Sequence, residues 1–157
     1  MSNLSLPTPT LRHVYRLEAE IEAPLDLGQT PAGHRRVVAY AGGRFSGDGL
    51  AGELVPGGGD WQVLRPDGGA RVDIRYTLRT DAGTLLMVTS TGVRHGPAEV
   101  LARLGRGEDV DPAEYTFRTQ LSIETSDPDL AWVNDGVFVA VGGRQPEGVV
   151  YDVYLVE

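Results

Sequence analysis

Alternation of apolar and polar residues, broken at short intervals by glycine and proline, most constrains what this chain can fold into. In Arg71–Arg79, Val72, Ile74, Tyr76 and Leu78 share one face, and Arg71, Asp73, Arg75, Thr77 and Arg79 share the other. Tyr115–Glu124 repeats the pattern, with Tyr115, Phe117, Thr119, Leu121 and Ile123 opposite Thr116, Arg118, Gln120, Ser122 and Glu124. Residues 13–21 alternate in the same way. Period two over nine or ten residues predicts a strand. Further strands are expected at 35–41, 50–55, 61–65, 84–91, 136–142 and 149–156. Hairpin turns are expected at Pro66-Asp67-Gly68-Gly69, Asp81-Ala82-Gly83 and Arg144–Gly148. One short helix is expected at 97–104, with Pro97 at its start and Gly105 past its end.

Eight or nine strands in an open sheet would expose edges, and closure removes them. The expected fold is therefore all-β: a single closed antiparallel barrel of about eight strands, lipocalin-like, over residues 11–157. Residues 1–10 form a flexible N-terminal segment in this reading. A barrel of that size either fills with side chains or holds one small ligand.

Composition removes several chemistries. All 14 basic residues are arginine, and cysteine is absent. Schiff-base lysine catalysis, a P-loop, thiol nucleophiles and cysteine metal sites are excluded. A formal charge of −8 argues against a nucleic-acid partner. No apolar run approaches the ~20 residues of a membrane helix, and Met1–Thr10 carries no secretion leader pattern. The reading is a cytoplasmic protein with no membrane partner. Symmetric dimers are the commonest assembly, so a homodimer is the assembly to expect.

Several motifs dissolve on inspection. Gly47-Asp48-Gly49-Leu50-Ala51-Gly52 spells a dinucleotide fingerprint. The following Glu53-Leu54-Val55-Pro56-Gly57-Gly58-Gly59 admits no helix to face a pyrophosphate. His13, His34 and His95 lack metal-ligand spacing, and no nucleophile elbow occurs. No cofactor and no metal are expected.

More informative is Pro56-Gly57-Gly58-Gly59-Asp60-Trp61, where three glycines deliver an acid and an indole to a strand start. Asp73 and Arg75, and likewise Arg118 and Glu124, either line a pocket or face solvent; the sequence leaves both open. Tyr76 and Tyr115 stand on apolar faces, where a buried hydroxyl usually finds a partner. Trp132 and Asn134 pair an indole with an amide that either orients a ligand or forms a turn.

These blocks, with Pro24–Gly28, Gly92-Val93-Arg94-His95-Gly96-Pro97 and Glu114–Thr119, resemble the family of uncharacterised β-barrel proteins called domain of unknown function 3237. The match spans about Leu11 to Val156. Mild departures fall at Gly59, Thr116 and Ile123. The resemblance implies a lipocalin-like barrel with a cavity, and similarity to a few cyclases that guide ring closure in natural-product pathways. The expected function is then a cofactor-independent cyclase, isomerase or lyase acting on a small, largely apolar metabolite. Asp60 or Glu124 is the expected base, Tyr76 the proton donor and Arg118 the anion-stabilising cation. Trp61, Asp73, Arg75, Arg94, His95, Tyr115, Trp132 and Asn134 are the expected substrate contacts. The alternative is a lipocalin-like carrier without catalysis; a third reading is a filled barrel acting through an oligomer surface.

Overall fold

The computed structural model describes residues 2–157; Met1, the first residue of the expected N-terminal segment, lies outside the described residues. Nine strands run β1 Leu11–Ile21, β2 Leu25–Thr30, β3 Gly33–Gly47, β4 Leu50–Leu64, β5 Ala70–Thr80, β6 Leu85–His95, β7 Thr116–Glu124, β8 Phe138–Gln145 and β9 Gly148–Val156. Every pairing is antiparallel. The spatial order is β1-β9-β8-β7-β6-β5-β4-β3-β2, and β1 also pairs with β3. That extra pairing closes eight strands into a barrel and leaves β2 as an additional strand on β3. The expected barrel is present.

Two strand expectations differ from the structure. Residues 50–55 and 61–65 belong to one strand, because Pro56–Gly58 forms a bulge rather than a loop. The register of β4 against β5 shifts between Val55 and Gly59, and Gly57 takes a φ of +113° that favours glycine. Strand β2 was not anticipated: Leu25-Asp26-Leu27-Gly28-Gln29-Thr30 lacks a buried face, since one of its sides meets solvent at every apolar residue.

The seam between β1 and β3 depends on close backbone approach. A Cβ on Gly47 would meet the carbonyl oxygen of Val14 at 1.8 Å, and one on Gly43 would meet that of Glu18 at 2.2 Å.

Helix α1, Ala98–Gly105, buries Val100, Leu101 and Leu104, and Leu101 lies over Gly68 in the β4–β5 turn. Its bounds fall one residue from those expected. A 3₁₀ segment at Pro128–Asp135, unforeseen in the sequence, buries Val133. It is tied to the β5–β6 turn by the Thr84 hydroxyl, which donates to Asp127 at 2.6 Å.

Inward residues fill most of the barrel. Tyr15, Leu17, Leu54, Ile74, Leu78, Leu86, Val88 and Phe138 are fully or almost fully buried. At the end where β4, β6 and β8 finish, the interior turns polar: Asp60, Gln62, Arg94 and Thr119 are all buried there.

Candidate functional site

The bulge in β4 sets the geometry of this polar end. Beyond it, strand alternation turns Asp60 and Gln62 inward and Trp61 outward. The acid and the indole expected side by side are therefore on opposite faces. Asp60 is 3% exposed. Its Oδ2 accepts from the Gln62 amide at 2.6 Å, and its Oδ1 accepts from the backbone N–H of Asp73 at 3.1 Å. Gln62 Oε1 in turn accepts two bonds from the Arg36 guanidinium, at 3.0 and 2.8 Å.

Three arginines from three strands converge here: Arg36 of β3, Arg94 of β6 and Arg144 of β8. With Ile21, Val38, Tyr40, Phe117, Val149 and Tyr151, Asp60, Gln62, Arg94 and Arg144 line a cavity of about 10 Å³, room for roughly one water. Arg94 is 5% exposed and lies 6.0 Å over the Phe117 ring. The Arg144 backbone N–H donates to the Tyr115 hydroxyl at 2.7 Å, which fixes that end of β8. Ile21 and Arg144 also border a separate outer groove of about 600 Å³, rimmed by Glu20, Glu22 and Glu147.

Burial shapes the electrostatics. Loss of water pushes the Asp60 carboxyl up to about 6, against the opposing pull of its hydrogen bonds from Gln62 and Asp73 and of Arg94 and Arg36. Burial also pushes the Arg94 guanidinium down to about 10, helped by repulsion from Arg144 and Arg36. Arg36 moves down for the same reasons, burial first and then Arg144. Tyr40 and Tyr151 share a hydrogen bond of 3.1 Å between their hydroxyls, and burial holds both well above the usual phenol range. Both hydroxyls therefore keep their protons at neutral pH.

Of the residues expected in a site, Asp60 and Arg94 face this cavity. Tyr115 touches it through the Arg144 backbone. Tyr76 is buried, but one layer deeper: its hydroxyl pairs with that of Tyr15 at 2.8 Å, and its ring lies 6.2 Å from that of Tyr40. Arg118 and Glu124 stand on the outer face of β7 and are exposed. Strand alternation places them opposite Phe117, Thr119, Leu121 and Ile123, so neither the expected cation nor the expected second carboxylate reaches the interior. Arg75 is likewise on an outer face. Asp73, His95 and Arg118 meet in an open outer groove over Gly92, away from the cavity. Trp132 packs beside Phe138 and under Arg12, in the 3₁₀ segment that is tied to the β5–β6 turn. The Asn134 amide accepts from and donates to the Thr125 backbone at 2.9 and 3.1 Å, the turn role rather than the ligand role.

Arg36, Tyr40, Gln62, Arg144 and Tyr151 were missed. Arg36 was signalled: it shares strand parity with Val38 and Tyr40, so an arginine sits on an apolar face. Arg144 carried no such signal, because it opens what reads as a hairpin turn.

A closed antiparallel barrel with one buried carboxylate among three inward arginines defines a small β-barrel protein with a charged internal cavity. The chain belongs to the family described as protein of unknown function DUF3237, whose profile matches residues 9–156. A UPF0311 protein of Rhodopseudomonas palustris is 36% identical over 151 residues, covering 95% of this chain and 99% of the relative. A UPF0311 protein of Clostridium acetobutylicum is 33% identical, covering 91% of each chain. Among solved structures, a conserved protein of unknown function from Rhodopseudomonas palustris superposes with a TM-score of 0.91 at 34% identity, covering 98% of this chain and all of the other. An enzyme from Penicillium herquei superposes with a TM-score of 0.70 at 18% identity over 98% of both chains, a likeness of fold.

Proposed function

We propose that this protein is a cofactor-independent enzyme of the cyclase, isomerase or lyase type. It moves a proton on a small, largely apolar metabolite held at the polar end of the barrel. The observation that carries this reading is Asp60, a carboxylate buried inside the barrel whose neighbours include inward-facing arginines and a pair of protonated phenols. A carboxyl near 6 is ionised at neutral pH yet basic enough to take a proton from carbon or oxygen. Arg94 supplies positive charge where an enolate would develop. Tyr40 or Tyr151 can donate a hydrogen bond or return a proton. Intramolecular addition of a hydroxyl to an activated double bond needs these groups and a fixed geometry. That an enzyme of Penicillium herquei has this fold and that the family resembled implies likeness to a few ring-closing cyclases support the same reading.

The test is deuterium exchange. A panel of small enolisable ketones is followed by proton NMR in heavy water with wild type and Asp60→Asn. Wild type is expected to accelerate exchange next to the carbonyl, and the variant to lose roughly 10²–10⁴-fold, the usual contribution of a positioned base. Equal exchange in both proteins would overturn the base role.

The alternative reading is a carrier without catalysis; the cavity of about 10 Å³ requires side chains to move before either a substrate or a carried ligand is held. Saturable binding of panel compounds with no exchange above buffer would decide for it.

A further inference from the structure

The arginine cluster holds more positive charge than its own carboxylate neutralises. Arg94 and Arg144 line the cavity with Asp60, and no other carboxylate lines it; Arg36 beside them interacts with Asp60 and with the exposed Asp26. Among the described residues, the Nε of Arg94 and the Nε of Arg144 are both buried and make no hydrogen bond. Native proteins rarely leave such donors unpaired, since an unsatisfied buried donor keeps its full desolvation penalty, larger still when charged. Asp60 does not pair with either of them: its oxygens are occupied by Gln62 and the Asp73 backbone. Arg36 is committed to Gln62. The remaining walls are Phe117, Tyr151, Val38, Val149 and Ile21, apolar and partly aromatic.

We infer that Arg94 and Arg144 form a subsite for an organic carboxylate, so that the metabolite enters as a monoanion with its acid group against these two guanidinium groups. The inference rests on the enzyme reading only for the word substrate; the anion subsite stands on the geometry of the arginines. A carboxylate offers two oxygens to forked N–H donors, a geometry that arginine matches with two parallel bonds. Phe117 and Tyr151, whose rings pack edge-to-face at 5.6 Å, give it an apolar wall beside the two guanidinium groups. A tetrahedral phosphate is bulkier and prefers a polar cradle on all sides. Arg144 is the half-buried member at the strand end, and it borders both the cavity and the outer groove. The acid group therefore meets Arg144 first and Arg94 beyond it.

The test measures thermal melting and calorimetric titration at constant ionic strength with benzoate, benzamide and inorganic phosphate. Benzoate is expected to bind and raise the melting temperature, while benzamide, of the same shape but uncharged, binds at least tenfold more weakly. Arg144→Met is expected to weaken benzoate at least tenfold. Arg94→Met is expected to do the same, and the Arg144 variant decides the matter if the Arg94 variant fails to fold. Asp60→Asn removes the competing negative charge and is expected to tighten benzoate severalfold. Equal binding of benzoate and benzamide, stronger binding of phosphate than of benzoate, or no loss in Arg144→Met would each overturn the subsite. Loss of ketone exchange in Asp60→Asn together with no benzoate response overturns the anion subsite alone. A benzoate response together with exchange indifferent to Asp60 overturns the acid–base reading alone.

Discussion

At the residue scale, Asp60 is expected to cost the fold stability for its position. Its carboxyl moves from 3.8 to about 6 on burial, so the folded protein binds the Asp60 proton more tightly than the unfolded chain does. Stability contributed by this group is therefore greatest below pH 4, falls as pH rises from about 4 to 6, and stays low above that. Two units correspond to about 3 kcal/mol. Asp60→Asn lacks this titration, so its stability relative to wild type is expected to rise by about 2.5 kcal/mol between pH 4 and pH 7.5, read from urea denaturation at both. A difference that does not change with pH would show that the carboxyl is not buried as charge. Arg94 follows the same logic with opposite charge. It is buried, repelled by Arg36 and Arg144, and unpaired at Nε. A buried charge with no hydrogen-bond partner at Nε carries a desolvation cost that an apolar side chain of similar volume does not. Arg94→Met is expected to melt at or above the wild-type temperature without ligand; a fall of several degrees would mean that the guanidinium holds the barrel end together.

At the element scale, closure depends on the β1–β3 seam. Gly47→Ala would force a methyl group to 1.8 Å from the Val14 carbonyl oxygen and 2.8 Å from the Tyr15 Cα. Neither atom belongs to a flexible side chain, so the strands must part. Overpacking of this kind typically costs about 1–3 kcal/mol, and Gly47→Ala is expected at the upper end. Gly49→Ala provides a contrast in the same turn: a Cβ there meets nothing within 4 Å, and only the φ of +71° penalises it. Equal melting temperatures for the Gly47 variant and wild type would refute close packing at the seam. The same strands show what a sequence carries. Alternation in 71–79 and 115–124 is enough to find β5 and β7, because each strand buries one face and exposes the other. It is also enough to find the inward parity of Tyr76 and Phe117. It does not say which polar side chains on the opposite face look outward, and that is why Arg118 and Glu124 were open until the barrel closed around the other side. The three glycines at 57–59 were legible as a special backbone, but their effect, a bulge inside one long strand, depends on pairing to Arg75 and Ala39 far along the chain. Arg144 joins the cluster only through the β8–β9 hairpin, a long-range consequence invisible to local pattern.

At the scale of the whole molecule, the barrel is uneven. Tyr15, Leu54, Leu78, Leu86 and Phe138 fill its middle and the end tied to Pro128–Asp135, while charge and a water-sized cavity occupy the other end. Apolar packing resists local opening, and buried unpaired charge does not. Strand β2 adds to this contrast, since it pairs only with β3 and carries no fully buried residue. A ligand larger than one water can enter only if this end opens. The side chain best placed to move is Arg144, half-buried near the end of β8, just before the two-residue turn into β9. Amide hydrogen exchange is therefore expected to be slowest in the middle of β5 and β6 and faster by at least tenfold in β2 and in residues 144–148. Saturation with benzoate is expected to slow exchange in residues 144–148 and to leave Val72–Leu78 unchanged. Uniform protection along the barrel would refute the uneven stability, and ligand protection confined to the Pro128–Asp135 end would move the mouth of the barrel to its opposite end.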